Sequence, residues 1–182
     1  MQSQSHSQAH PTPFTEQQAR DWIFRRLALR EHSRDELCKG LLSRGFPRAE
    51  AETLLDAFVE SGYQSDERYQ EAFARHQSKQ GKGTRWIQMK LKQKGVQVAG
   101  ARLAEIAEEA TGATEFDRAV DFLRRRYQTQ IPVGLDVRKD NGKRDEKMRF
   151  RNRLMGALVR RGFSFEIAQK ALSIFETESI KD

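Results

Sequence analysis

Residues 37–46 read LCKGLLSRGF, residues 87–96 read IQMKLKQKGV and residues 154–163 read LMGALVRRGF. Each stretch places an apolar residue eight and four positions before a glycine: Leu37 and Leu41, Ile87 and Leu91, Leu154 and Leu158. Positions four apart form one stripe of a helix. The residue before each glycine is basic (Arg44, Lys94, Arg161), which suits the negative end of a helix dipole, and the one after it is apolar (Phe46, Val96, Phe163). Gly45, Gly95 and Gly162 therefore read as left-handed residues that end three equivalent helices, where a Cβ would be penalised. This pattern decides the fold class: a helical repeat occurring three times.

Working outward, Thr15, Ser65 and Thr114 lie 50 and 49 residues apart, each followed by an acid. They read as N-caps of the first helix of each copy, with Ile23, Phe73 and Phe122 as core residues eight positions on and Arg25, Arg75 and Arg124 ten positions on. Thr15 with Gln18 and Ser33 with Glu36 have capping-box spacing. Thr84 and Ser164 are further caps, and Pro47 fits a first helical position. The periodicity predicts helices over 15–30, 33–44, 47–60, 66–79, 84–94, 97–110, 115–127, 145–161 and 164–177. No stretch alternates at period 2. The expected architecture is all-α, three tandem three-helix repeats (15–64, 65–113 and 114–182) stacked in an elongated, curved array. Residues 1–14 read as a disordered tail, and about 128–144 as a flexible insertion in the third repeat with Asp140-Asn141-Gly142 as a turn signal.

The chain has 182 residues and a formal net charge of +7. No apolar run reaches the roughly 18 residues of a membrane span. The first residues have no apolar signal segment, so a cytoplasmic location is expected. Cys38 is the single cysteine, which excludes an intrachain disulfide and a cysteine-based zinc site. Charge is unevenly spread: net −1 over residues 15–64, +5 over 65–95, −2 over 96–114 and +5 over 115–182. A polyanion-facing surface is expected on the second and third repeats.

Catalytic readings find no support. Gly81-Lys82-Gly83 lacks the rest of a phosphate-binding loop and reads as a helix break. His32 and His76 have no ligand or carboxylate at suitable spacing, and His6 and His10 fall in the tail. Adjacent Glu108 and Glu109 point about 100° apart on a helix. Cys38 reads as a structural thiol, and Trp22 and Trp86 as packing residues. No catalytic residue, metal or cofactor is expected, and the chain is not read as an enzyme.

The run Arg30-Glu31-His32-Ser33-Arg34-Asp35-Glu36-Leu37, then Leu42-Ser43-Arg44-Gly45-Phe46, Gly62-Tyr63-Gln64-Ser65-Asp66-Glu67-Arg68-Tyr69, Gly81-Lys82-Gly83-Thr84-Arg85-Trp86-Ile87 and Leu91-Lys92-Gln93-Lys94-Gly95-Val96 resembles the RecX family of bacterial RecA-regulating proteins. The third repeat matches mainly through Arg160-Arg161-Gly162-Phe163. Gln64 stands where the family has an apolar residue and Thr84 where it often has proline, both without expected effect on the fold. The resemblance implies a binding protein that lies in the groove of the RecA filament, meets DNA there, and suppresses RecA ATP hydrolysis, strand exchange and co-protease activity in recombination and the SOS response; single-stranded and double-stranded DNA are the nucleic-acid partners expected, and the chain is expected to be a monomer.

The residues expected to carry nucleic-acid or filament binding are Arg75, Lys79, Lys82, Arg85, Lys90, Lys92, Lys94, Arg124, Arg125 and Arg126. Arg75 and Arg124 lie about 200° around the helix from Phe73 and Phe122, hence outward. Two other classes remain open on the residues alone: a helix-turn-helix transcriptional regulator, and a helical scaffold for an unrelated protein.

Overall fold

The computed structural model describes residues 14–128 and 141–178. The tail up to residue 13 and the core of the insertion lie outside them. Nine helices and no strand occur among the described residues. They fall into two compact units that part between Asp66 and Glu67.

The first unit holds α1 (Glu16–Leu29), α2 (Arg34–Leu42) and α3 (Arg48–Glu60). Thr15 and Gln18 close a reciprocal capping box: the Gln18 N–H donates to Thr15 Oγ1 at 3.3 Å and the Thr15 N–H to Gln18 Oε1 at 2.9 Å. The Glu36 N–H donates to Ser33 Oγ at 3.1 Å, starting α2. Ile23, Leu37, Leu41, Phe46, Leu55 and Phe58 fill the core, with Cys38 buried beside them as a free thiol. Phe14, assigned to the tail from sequence, packs on this core edge-on to Phe46 at 6.2 Å. Trp22 lies against Gly40, where a Cβ would stand 2.3 Å from the indole ring.

The second unit contains the rest of α4 (Asp66–Lys79), α5 (Thr84–Gln93), α6 (Gly100–Thr111), α7 (Glu115–Tyr127), α8 (Asn141–Arg161) and α9 (Phe165–Glu178). Tyr69, Ile87, Leu91, Leu103 and Ile106 form one core cluster within it; Leu123, Leu154, Leu158, Phe163, Leu172 and Phe175 form another. The two are tied through the start of α5. The first N–H groups of a helix have no partner inside it. Here the Gly83 N–H donates to the Arg161 carbonyl at 2.9 Å, the Arg85 N–H to the Gly162 carbonyl at 3.1 Å, and the Thr84 N–H to Glu115 Oε1 at 2.8 Å.

The three glycines do what the repeat predicts. Gly45, Gly95 and Gly162 have φ of 81°, 77° and 92°. Each ends its helix with the same pair of bonds. Phe46, Val96 and Phe163 donate to the carbonyls of Leu41, Leu91 and Leu158 at 3.2, 3.0 and 3.2 Å, and each glycine N–H donates to the carbonyl three residues back. This is the Schellman closure, with its two apolar residues buried together.

Several local expectations need correction. Pro47 is the N-cap of α3, not its first helical residue. Thr84 is the first residue of α5, and Gly83 is the N-cap; the start is held by the Glu115 carboxylate and by the carbonyls of Arg161 and Gly162, so no cap from its own N-terminal residues is needed. Val96 is drawn into the core, so α6 begins three residues later than expected. Asn141 and Gly142 lie in the first turn of α8 instead of a reverse turn; there the backbone N–H groups have no intrahelical bond to lose. Of the residues eight positions after each cap, only Ile23 is fully buried. Phe73 and Phe122 are half-buried, and their neighbours Ala74 and Leu123 occupy the centre.

Gln64 also matters to the fold. It is buried, and its Nε2 donates to the His32 carbonyl at 3.1 Å and to Asp66 Oδ1 at 2.8 Å. Asp66 Oδ1 in turn accepts the Arg34 N–H at 2.8 Å, so one polar network satisfies the start of α2.

Candidate nucleic-acid and partner interface

The basic residues singled out from sequence separate into four settings. Arg75 and Arg124 are exposed, as expected, yet both are engaged. Arg75 reaches Glu71 and Glu109, each at 3.8 Å. Arg124 donates through Nε and Nη2 to both carboxylate oxygens of Glu178 at 3.1 and 2.6 Å, and approaches Asp121 at 3.5 Å. The bonds to Glu178 hold its guanidinium above arginine's ordinary pKa.

Lys82 and Lys90 flank the Trp86 ring, with Nζ 4.6 and 5.6 Å from its centroid. Trp86 is half-buried against the cluster of Tyr69, Ile87 and Leu91, so the indole is a packing residue that also seats two cations. Lys92 and Arg85 are exposed on α5 and form no ion pair among the described residues; Lys94 is half-buried at the end of that helix.

Lys79, Arg125 and Arg126 converge. Together with Arg161 and Arg118 they line a cleft of about 390 Å³ bounded by the end of α4, the 80–81 loop, the 111–113 loop, α7 and the end of α8. Among the described residues Asp121 is the one carboxylate in its lining. The Arg161 guanidinium sits 4.4 Å from the Phe122 ring centroid, which fixes it at the rim.

Arg118 was not anticipated from sequence. It is 7% exposed. Its Nη1 donates to the Ala113 carbonyl at 3.1 Å, whereas Nε and Nη2 are buried without a partner. Burial pushes its pKa below arginine's ordinary value, against the opposing pull of Glu115, Glu108 and Asp117. The repeat register contained the signal. Arg118 stands four residues after Thr114, as Ala19 stands after Thr15 and Tyr69 after Ser65. Those two are core residues, so the register points an arginine at the third copy toward the core as well.

Among the described residues no group of three or more His, Cys, Asp and Glu is placed to hold a metal, and no helix is long and apolar enough to cross a membrane. What the cleft and the α5 surface hold is cations and hydrogen-bond donors.

Comparison with known proteins gives one consistent family. The family description "RecX, second three-helix domain" matches residues 65–98. Regulatory protein RecX of Pseudomonas fluorescens (strain SBW25) is 33% identical over 147 residues, covering 81% of this chain and 84% of that protein. Regulatory protein RecX of Chromohalobacter salexigens is 34% identical over 155 residues, covering 85% and 90%. The crystal structure of RecX from Lactobacillus salivarius has the same fold, with a TM-score of 0.63 at 17% identity over 88% of this chain and 96% of that one. With relatives of this identity aligned over more than four-fifths of its length, the chain belongs to the RecX family of regulatory proteins.

Proposed function

We propose that the chain regulates homologous recombination and the SOS response by binding the RecA filament and DNA, acting mainly as an inhibitor of RecA ATP hydrolysis, strand exchange and co-protease activity. The observation that carries this reading is the alignment with proteins named Regulatory protein RecX over 81–85% of the chain. The cations gathered around α4, α5, α7 and the end of α8 supply a surface suited to it, because phosphate contacts by Lys and Arg release counterions and dominate nucleic-acid affinity. In this reading the chain works as a cytoplasmic monomer of three three-helix repeats (15–64, 65–113 and 114–182). Residues Arg75, Lys79, Lys82, Arg85, Lys90, Lys92, Lys94 and Arg124–Arg126 face filament or DNA.

The test is a DNA-dependent RecA ATPase assay with the purified chain titrated in. A dose-dependent loss of hydrolysis is expected. No loss with demonstrably active RecA overturns the reading, and sequence-selective duplex binding without RecA favours a helix-turn-helix regulator instead.

A further inference from the structure

We propose that the cleft between the end of α4 and the α7–α8 helices is a binding site for a phosphate group. Three observations lead there. The first is the orphaned edge of Arg118. Nη1 is used by the Ala113 carbonyl, which leaves Nε and Nη2, the two donors that lie side by side on a guanidinium, buried and unpartnered. That edge presents a fork matched to two oxygens of a phosphate. An unpaired buried donor is costly, so such a fork calls for an acceptor.

The second is Ser78. Its Oγ is likewise buried without a partner, and Ser78, on α4, lines the same cleft. A hydroxyl donor and a guanidinium fork lining one cleft supply the kinds of donor that a tetrahedral oxyanion takes. The third is charge. Lys79, Arg125 and Arg161 line the same cleft; among the described residues Asp121 is the one carboxylate in that lining, and it is within 3.5 Å of Arg124, while Glu115, Glu108 and Asp117 act on Arg118 from outside the lining. The cleft, at about 390 Å³, falls within the range of about 300–1,000 Å³ usual for small-ligand sites, more room than a halide would fill.

The phosphate has two candidate sources, a nucleic-acid backbone or a free phosphate ester; only the choice between them rests on the DNA-binding reading above. The full chain is titrated with orthophosphate alone, at constant ionic strength against chloride, and its melting is followed. Phosphate should raise the melting temperature saturably, and chloride should not. Arg118→Met should abolish the phosphate response. Without phosphate it should still melt cooperatively, so that the lost response is read on a folded protein; a wild-type phosphate response in Arg118→Met overturns the assignment of its donor edge. Arg125→Ala, at an exposed position, and Ser78→Ala should each weaken phosphate binding roughly tenfold, the loss of one strong contact. They keep the test open should Arg118→Met fail to fold.

Competition separates the sources. Displacement of phosphate by a single-stranded oligonucleotide identifies a backbone phosphate. Displacement by a nucleoside diphosphate but not the oligonucleotide identifies a free ester. Displacement by neither, no saturable effect, or equal responses in wild type and all variants overturns the proposal. Lost phosphate binding with intact DNA affinity removes the cleft assignment alone; intact phosphate binding with no effect on RecA removes the functional reading alone.

Discussion

Gly83 lies against Gly162 with no room for a side chain on either. A Cβ on Gly83 would fall 2.4 Å from the Gly162 carbonyl carbon, and one on Gly162 would fall 2.3 Å from Trp86 Cβ. The backbone of the α5 start and the end of α8 can then exchange the bonds that seal the second unit. Gly162 also has φ of 92°, so it carries two constraints, whereas Gly45, at φ 81°, has nothing within 4 Å of its missing Cβ. Gly45→Ala should therefore lose only the left-handed penalty, about 1–2 kcal/mol. Gly162→Ala should lose that and about 1–3 kcal/mol more for overpacking against backbone that cannot step aside. Urea unfolding of the two variants checks the order; equal losses would mean that the α5–α8 contact is not tight in solution.

The same pair of glycines shows how far the sequence could be read. The Schellman glycines, the capping box of Thr15 and the positions of the helices were legible because each depends on residues within a few positions of one another. Partnership across sequence was not. Nothing local says that Glu115 accepts the Thr84 N–H, that Glu178 occupies Arg124, or that Gln64 is buried under the His32 carbonyl. For the candidate site, the basic segments were visible as charge, but which cations are already paired follows only from packing. Arg118 lay between these cases: its burial was written in the repeat register, and its orphaned donor edge was not.

His32 should make the first unit less stable in mild acid. It is 7% exposed, with Nδ1 3.2 Å from Glu36 Oε2. Burial, followed by the nearby Arg30, lowers its pKa from 6.5 despite the opposing pull of Glu36. The folded state thus prefers the neutral ring and the unfolded state takes up the proton first. Stability contributed by His32 is fully present above about pH 6.5 and is lost as pH falls through the lowered folded value. Urea midpoints between about pH 5 and 8 should fall on the acid side in the wild type, with a flatter profile in His32→Gln. Parallel profiles for the two proteins would remove His32 as the source.

Gln64→Leu should destabilise the first unit even though leucine is well accommodated in most cores. The Gln64 amide is the donor to a buried carbonyl, that of His32, and it shares Asp66 Oδ1 with the Arg34 N–H. Leucine leaves that carbonyl without this donor and weakens the network at the α2 start, a loss of about 1–3 kcal/mol. Amide hydrogen exchange at Arg34 should quicken with the loss of stability. An unchanged unfolding curve and unchanged exchange would show that the amide bonds contribute nothing net.

Pairing state should decide which basic residues matter for binding. Arg124 is held bidentate by Glu178, and Arg75 shares two carboxylates, so a phosphate must compete with those acids for either. Lys79, Arg85 and Arg125 form no ion pair among the described residues and can contact phosphate at once. Exposed ion pairs contribute only about 0–1 kcal/mol, so reversing charge at either class should leave the helices intact. The triple change Lys79→Glu, Arg85→Glu and Arg125→Glu should weaken single-stranded DNA binding and RecA inhibition more than the double change Arg75→Glu and Arg124→Glu. Arg25→Glu, in the acidic first repeat where Arg25 Nε donates to the Asp21 carbonyl at 3.1 Å, should do least. The triple variant should also show a shallower dependence of binding on salt, because each lost phosphate contact removes about one released counterion from the slope. Fluorescence anisotropy with a labelled oligonucleotide at several salt concentrations reads both quantities. If Arg25→Glu proves the most damaging, the binding surface belongs to the first unit; if Arg75→Glu with Arg124→Glu does, the carboxylates that hold those arginines release them on binding, and pairing in the free protein is no guide to the contact surface.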